Sequence, residues 1–180
     1  IKRLRDGLPS HVILGLDAAY AEYMDSADYA DGCSLVRSSN TVVFHTFSKI
    51  YGLSGLRLGW AYACAEIIDI MNRVRSPFNV NSPALAAAIA AVQDQTYISD
   101  MRKKNSAERE RVARAIAALG YVVMPSHTNF LLVKFGKAVD AMNRHLMARG
   151  VIVREVGNYG LPEYLRISIG TTEENTVLID

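Results

Sequence analysis

The sequence has few of the features that mark secreted, membrane-spanning or nucleic-acid-binding proteins. It has only two cysteines in 180 residues, which is too few for a disulfide framework. It has no run of about 18 apolar residues, so we expect no transmembrane helix and no membrane partner. Its opening residues, IKRLRDGLPS, lack the apolar stretch of a signal peptide. Together these absences indicate a cytoplasmic location.

The charges are close to balance, with Lys+Arg 20 against Asp+Glu 18 and a formal net charge of +2. A nucleic-acid-binding domain needs a basic patch, so we expect no nucleic-acid partner. Cys33 and Cys64 stand in the sequence without the spacing of metal ligands. We therefore predict buried, reduced thiols and no metal site.

Hydrophobic residues make up 50% of the chain, which is enough to bury a sizeable core. Asn81 and Pro83 predict the start of a helix that continues over residues 84–93. That helix is apolar on all sides, so we expect it to be buried. Short apolar runs predict strands buried on both faces at residues 11–16, 41–44 and 58–63, and the first two of these runs contain β-branched residues.

The pattern changes in the second part of the chain. A long amphipathic helix is predicted over residues 98–119, ended by Gly120. Thr171 and Glu174 have the spacing of a capping box, which opens a last helix. Between them, a helix is predicted over 138–149, and strands are predicted over 121–124, 129–134, 151–154 and 164–169.

Strands that alternate with helices predict an α/β fold, with a mostly parallel sheet covered by helices over residues 1–105. Residues 106–180 predict a small α+β domain, joined to the first by the long helix. The sequence begins with Ile1 rather than Met and ends at Asp180 inside a predicted helix. We therefore expect a piece of a longer protein.

The densest group of reactive residues follows the predicted strand at 41–44. It reads Thr46-Phe-Ser-Lys-Ile-Tyr-Gly-Leu-Ser-Gly-Leu-Arg-Leu-Gly-Trp60. A desolvated lysine at a strand end can act as an amine nucleophile, and hydroxyls with a guanidinium suit a phosphate. Taken alone, the segment could also be a phosphate-binding loop with a structural lysine, although it lacks the P-loop pattern.

A second group follows the predicted strand at 11–16, where Asp17 and Tyr20 stand. Ligands of α/β proteins bind beyond the carboxyl ends of parallel strands, which is where Asp17 is expected. Taken alone, Asp17 could cap a turn and Tyr20 could pack in the core.

These segments resemble the pyridoxal 5′-phosphate (PLP)-dependent aminotransferases of fold type I, in particular the bacterial histidinol-phosphate branch of that family. The family pattern Asp-x-x-Tyr matches Asp17-Ala-Ala-Tyr20. The pattern Thr-x-Ser-Lys, followed by Ala/Ser-Gly-x-Arg-x-Gly, matches Thr46-Phe-Ser-Lys49 and Ser54-Gly-Leu-Arg57-Leu-Gly59. Many relatives carry Glu in place of Ala18, but that side chain does not meet the pyridine. The resemblance continues through 77–81, 126–130, 151–154 and 165–170.

The resemblance covers essentially the whole chain, and it implies the C-terminal part of the large PLP-binding domain followed by the small α+β domain. It also implies a role for each cofactor-binding residue. Lys49 would carry the cofactor and move the substrate's Cα proton. Asp17 would pair with the pyridine nitrogen, and Tyr20 would bond the 3′-oxygen. The cofactor phosphate would be held by Thr46, Ser48 and Arg57.

The substrate-binding residues follow from the same resemblance. Arg166 would hold the anionic end of the substrate, and Arg154 would help to bind a substrate phosphate. Asn129 belongs to the features shared with the histidinol-phosphate branch. His45 and His127 are expected in the core or behind the site, without a catalytic role.

The resemblance implies transamination between histidinol phosphate and 2-oxoglutarate/glutamate in histidine biosynthesis. It further implies a homodimer with its active site at the interface, active only when complete. An aromatic amino acid aminotransferase or a threonine-phosphate decarboxylase would share the cofactor residues, so both alternatives stay open. A third alternative is the effector domain of a PLP-binding transcription regulator, in which a helix-turn-helix domain would precede these residues.

Overall fold

The computed structural model describes residues 1–38 and 40–180, which form two compact units, Ile1–Asp100 and Met101–Asp180. The α-helices are α1 Lys2–Gly7, α2 Ala65–Val74, α3 Ser82–Gln93, α4 Gln95–Ala118, α5 Val139–Ala148 and α6 Thr172–Ile179. The strands are β1 Leu14–Asp17, β2 Thr41–Thr46, β3 Gly59–Tyr62, β4 Val122–Val123, β5 Phe130–Lys134, β6 Arg154–Glu155 and β7 Tyr164–Ser168. Within these residues, no helix has both the length and the apolar character needed to cross a membrane.

The first unit is built on a three-stranded sheet in the order β1-β2-β3. β1 pairs with β2 in parallel, whereas β2 pairs with β3 antiparallel. The sheet is therefore mixed in the described chain, and not mostly parallel as the sequence predicts. The connection over residues 47–58 contains only a short 3₁₀ turn, and an antiparallel neighbour needs no helical crossover.

Burial in this sheet differs between its centre and its edges. Val42 and Val43 in β2 are buried, as the sequence predicts for a covered strand, but Phe44 at the end of the predicted run is 42% exposed. β1 alternates half-buried and exposed residues, and β3 leaves Trp60 and Tyr62 exposed. The expectation of burial on both faces is therefore wrong for β1 and β3. Within the described part of the chain, each of them is an edge strand of this sheet and has a neighbouring strand on only one side.

Helix α3 begins where the sequence predicts, because the Asn81 side chain accepts a hydrogen bond from the Ala84 N–H at 2.8 Å. The expectation that α3 is buried all round is wrong. Ala84 and Ala88 are buried, but Leu85 and Ile89 are 53% and 54% exposed. Only one side of α3 therefore packs against the described residues.

The second unit is a four-stranded antiparallel sheet in the order β4-β5-β7-β6, covered by helices. Its core joins two residues of α4 to three of the sheet: Val112, Ile116, Leu131, Val133 and Ile167. α4 ends before Gly120, whose φ of +90° suits a residue without a side chain. The predicted strand over 151–154 begins only at Arg154, because the Val151 N–H bonds to the Leu146 carbonyl at the end of α5.

A polar network ties α4 to α6 within the second unit. The Glu108 carboxylate accepts hydrogen bonds from Arg111 and from the buried Asn175, both at 2.8 Å. The bond from Arg111, followed by that from Asn175, lowers the pKa of Glu108 from 4.5 to about 2. α6 itself starts with the predicted capping box of Thr171 and Glu174.

We predict that Glu108→Gln destabilises the second unit at neutral pH by about 1–3 kcal/mol, the range for a hydrogen bond to a charged group. A lowered carboxyl pKa contributes stability above the unfolded value and loses it as the pH falls through the folded value. The difference between wild type and Glu108→Gln should therefore shrink as the pH falls from 4.5 towards about 2. Urea unfolding across this range measures it, with the exposed Glu110→Gln as the control. A difference in unfolding free energy between wild type and Glu108→Gln that does not change with pH would contradict the prediction.

Gly59 in β3 lies very close to the backbone of β2. A Cβ at this position would lie 2.6 Å from the carbonyl oxygen of His45, and backbone cannot move aside cheaply. We predict that Gly59→Ala destabilises the first unit by about 1–3 kcal/mol, as overpacking does. Gly55→Ala is the matched control, because a Cβ there meets nothing within 4 Å. Thermal unfolding of the two variants should separate them, and equal melting temperatures would refute the close approach.

Candidate active site

The parallel pairing of β1 and β2 brings two groups of predicted site residues to one edge of the sheet. Asp17 is the last residue of β1 and lies opposite Phe44, while β2 continues to Thr46. The chain after β1 stays close to β2, because the Ala18 N–H donates to the Phe44 carbonyl at 2.8 Å. The Asp17 carboxylate accepts the Ala19 N–H at 3.0 Å, as in a turn. Both strands thus end at the edge where α/β proteins bind ligands.

Lys49 lies in the tight turn that follows β2. Its Nζ is 5.1 Å from the centre of the Tyr20 ring, which is within the range of a cation–π contact. Phe47 and Ile50 on either side are buried, and the Gly52 N–H donates to the Lys49 carbonyl at 2.9 Å. The backbone of Lys49 is therefore fixed. Its half-buried side chain reaches Tyr20, three residues after Asp17.

Thr46, Ser48 and Arg57 form a cluster of two hydroxyls and one guanidinium. The Ser48 N–H donates to Thr46 Oγ1 at 3.1 Å, and Arg57 Nη1 donates to Ser48 Oγ at 3.3 Å. Arg57 Nη1 also donates to the Ser54 carbonyl at 2.8 Å. Arg57 has φ of +53°, an uncommon value for a residue with a side chain. Such strained residues gather at functional sites, and this donor set suits a phosphate.

His45, Trp60 and Glu22 lie directly behind this edge. The His45 and Trp60 rings are stacked, with centres 4.0 Å apart and planes 1° from parallel. His45 Nδ1 lies 3.1 Å from Glu22 Oε1. The sequence gives no role to Glu22 or Trp60, since their contacts depend on the register of β2 with β3 and on the path of the chain after Tyr20. The sequence shows only that the polar His45 directly follows the predicted apolar strand at 41–44.

The two cysteines are half-buried, and not fully buried as predicted. Cys33 lies close to two other side chains that can bind metals. Potential ligand atoms of Asp31, Cys33 and His45 all lie within 4.8 Å of one another. Sequence spacing could not reveal this group, because His45 belongs to a different element from the other two residues.

In the second unit, Arg154 and Arg166 are direct partners across β6 and β7. Their side chains therefore leave the same face of the sheet as neighbours. The Arg166 guanidinium lies 5.0 Å from the Phe130 ring centre, and its buried Nε has no hydrogen-bond partner among the described residues. Arg154 Nη2 donates to the Tyr159 hydroxyl at 2.9 Å.

Asn129 lies at the end of the same sheet, where its carbonyl accepts the Ile169 N–H at 2.8 Å. Two like charges placed directly opposite each other are unfavourable without a counter-charge. Arg154 and Arg166 are thus suited to hold an anion. Their roles toward a substrate, like that of Asn129, stay predictions.

Known proteins resemble the chain over its whole length. The family model for aminotransferase class I and II matches residues 2–180. Histidinol-phosphate aminotransferase from Granulibacter bethesdensis is 54% identical over 97% of this chain and 48% of its own length. The enzyme of the same name from Rhodopseudomonas palustris is 46% identical over 100% of this chain and 51% of its own length.

Solved structures resemble the chain in fold as well. The structure of histidinol-phosphate aminotransferase from Sinorhizobium meliloti in complex with pyridoxal-5′-phosphate has a TM-score of 0.90 and 31% identity. The match between the two structures covers 99% of this chain and 50% of the Sinorhizobium meliloti chain. The chain thus spans about half the length of the relatives that it matches. On the family match and these identities, the chain belongs to the aminotransferase class I and II family.

Proposed function

We propose that the chain is the C-terminal half of a PLP-dependent transaminase that acts on histidinol phosphate and 2-oxoglutarate/glutamate in histidine biosynthesis. The observation that carries the proposal is the position of Lys49. Its amine lies against the Tyr20 ring, at the sheet edge where Asp17 and the Thr46–Ser48–Arg57 cluster also stand. The 54% identity to a histidinol-phosphate aminotransferase supports the choice of substrate.

The residues at this edge fit the chemistry of pyridoxal 5′-phosphate. When bound, the cofactor supplies an aldehyde for an amine and a ring that withdraws electrons. The Thr46–Ser48–Arg57 cluster offers hydroxyl, backbone and guanidinium donors for its phosphate. The Asp17 carboxylate offers a negative charge for a protonated pyridine nitrogen, and the Tyr20 hydroxyl offers a hydrogen bond to the ring oxygen.

Lys49 has two tasks in this proposal. Its amine would hold the cofactor covalently. The same amine would act as a general base that takes the proton from the substrate's Cα, and then as a general acid that returns the proton at another atom. Because the backbone of Lys49 is fixed, its amine would stay near the bound cofactor while the side chain changes conformation. Tyr20 borders the path of the amine, since Nζ already lies over its ring.

Arg154, Arg166 and Asn129 form the proposed substrate site. Both substrates of the reaction are anions, since histidinol phosphate carries a phosphate and 2-oxoglutarate carries two carboxylates. A guanidinium binds either group through two parallel hydrogen bonds. The unpartnered Nε of Arg166 is one such donor within the described chain. One arginine pair could therefore accept both substrates in turn.

The arrangement of the whole protein is part of the proposal. Residues 1–105 would form part of the large cofactor-binding domain, and residues 106–180 would belong to the small domain. We propose a cytoplasmic homodimer with its active site at the subunit interface. An aromatic amino acid aminotransferase or a threonine-phosphate decarboxylase would use the same cofactor residues, so the assays below include their substrates.

We predict that reduction of the cofactor-loaded protein with borohydride labels Lys49, because its amine lies over the ring of Tyr20, one of the proposed cofactor residues. Lys49→Ala should lower turnover by at least about 10²–10⁴-fold, the usual contribution of general acid–base catalysis. Peptide mass spectrometry locates the label, and an amino-transfer assay with histidinol phosphate measures turnover. Lys103→Ala, on the exposed side of α4, is the control. A label on any other lysine would disprove the assignment.

We predict that Arg154→Lys and Arg166→Lys each raise the KM for histidinol phosphate by about 10–100-fold, as loss of a charged hydrogen bond does. Lysine keeps the charge but cannot supply the planar pair of donors. Cofactor absorbance should not change, because neither residue belongs to the proposed cofactor site. Arg144→Lys, exposed on α5, is the matched control. If both variants keep wild-type KM values, or if phenylalanine or threonine phosphate is the better substrate, the proposed substrate is wrong.

A further inference from the structure

Three side chains from two segments of the chain meet behind the cofactor-binding edge. They are Asp31, Cys33 at the start of a 3₁₀ turn, and His45 in β2. One carboxylate oxygen, the sulfur and one ring nitrogen lie within 4.8 Å of one another. Nitrogen, thiolate and carboxylate are the ligands that Zn²⁺ takes in proteins. None of the three residues has a task in the proposed transamination.

His45 is the member of this group with a buried polar atom that lacks a hydrogen-bond partner among the described residues. The residue is 8% exposed, and this atom is its Nε2. Its Nδ1 lies 3.1 Å from a Glu22 oxygen, and a carboxylate only accepts, so Nδ1 carries the proton. Nε2 then presents a lone pair inside the protein, where an unsatisfied polar atom is costly.

The surroundings of His45 have the form found around metal-bound histidines. A ligating imidazole almost always donates its second N–H to a carboxylate or carbonyl, which fixes its tautomer and its ring orientation. Glu22 provides this bond, and stacking on Trp60 fixes the plane of the ring. Nε2 is therefore held in one orientation by two independent contacts.

The spacing of the three ligand atoms is close to that of a metal site. Bonds of about 2.0–2.3 Å to a tetrahedral ion put its ligand atoms about 3.3–3.8 Å apart. The present separations reach at most 4.8 Å, so ligation draws the atoms together by about 1 Å. Asp31 precedes the 3₁₀ turn and Cys33 is its first residue, and both are half-buried, so they can make this movement, whereas His45 is fixed in the central strand.

We propose that Asp31, Cys33 and His45 bind one Zn²⁺ ion, with Glu22 as the residue that orients His45. Binding replaces the thiol proton of Cys33, which passes to the solvent, and a water molecule completes the four ligands. The ion joins the 31–33 segment to β2 one residue before Thr46. Through Glu22 it also joins the turn after Tyr20. The site is structural, and it does not rest on the proposed transaminase activity.

The test uses the full-length, cofactor-loaded protein, stripped with a chelator and then given Zn²⁺ alone. We expect one tightly bound zinc per chain and a higher melting temperature. Cys33→Ser should lose this zinc, while the matched variant Cys64→Ser keeps it. Glu22→Gln, which preserves the shape of the side chain, should lower zinc affinity by about 10–100-fold. Mass spectrometry of the native protein counts the ions.

Co²⁺ gives a second readout that does not depend on stability. In place of Zn²⁺ it should produce a thiolate-to-cobalt absorption band in wild type and in Cys64→Ser, but not in Cys33→Ser. Circular dichroism shows whether each variant is folded. The proposal is overturned if folded wild type binds neither ion, or if Cys33→Ser binds zinc as tightly as wild type does. Loss of transaminase activity plays no part in either readout.

Discussion

The candidate site depends on the register of β2 with its two neighbours. Parallel pairing with β1 sets Asp17 opposite Phe44, and antiparallel pairing with β3 sets Gly59 opposite Thr46. A slip by one residue in either pairing would turn the side chains of the moved strand to the opposite face. The register is held by the closeness of Gly59 to the His45 carbonyl and by the stacking of His45 on Trp60. The positions of all six cofactor-binding candidates follow from it.

The sequence predicted best those features that depend on local chemistry. The Asn81 cap, the capping box of Thr171 and the stop of α4 at Gly120 each satisfy backbone groups with residues a few positions away, so their patterns can be read directly. The central strand β2 was also found, because burial on both faces leaves a continuous apolar run. The sequence signal was weakest where exposure depends on the neighbours of an element, as for α3.

The features that the sequence missed depend on contacts between distant residues. An antiparallel β3 could not be read from its apolar run, since strand direction is decided by the connection over residues 47–58. The grouping of Asp31 and Cys33 with His45 requires a loop to fold back on β2. The resemblance to a family supplied the predicted roles of Lys49 and Arg57, but it assigned none to Glu22, which lies outside the matching motifs, or to Trp60, which directly follows one of them.

The arginines of the two units solve opposite physical problems. Arg57 stays in a strained left-handed conformation, held by its own bond to the Ser54 carbonyl, which keeps its guanidinium beside Ser48. Arg154 and Arg166 lie in relaxed strands, but their like charges face each other across one ladder. In the proposed function, the first arrangement would use backbone strain to keep the Arg57 guanidinium where one phosphate binds. The second stores charge repulsion that any suitable anion relieves, which would serve the proposed site, since that site accepts two different anionic substrates in turn.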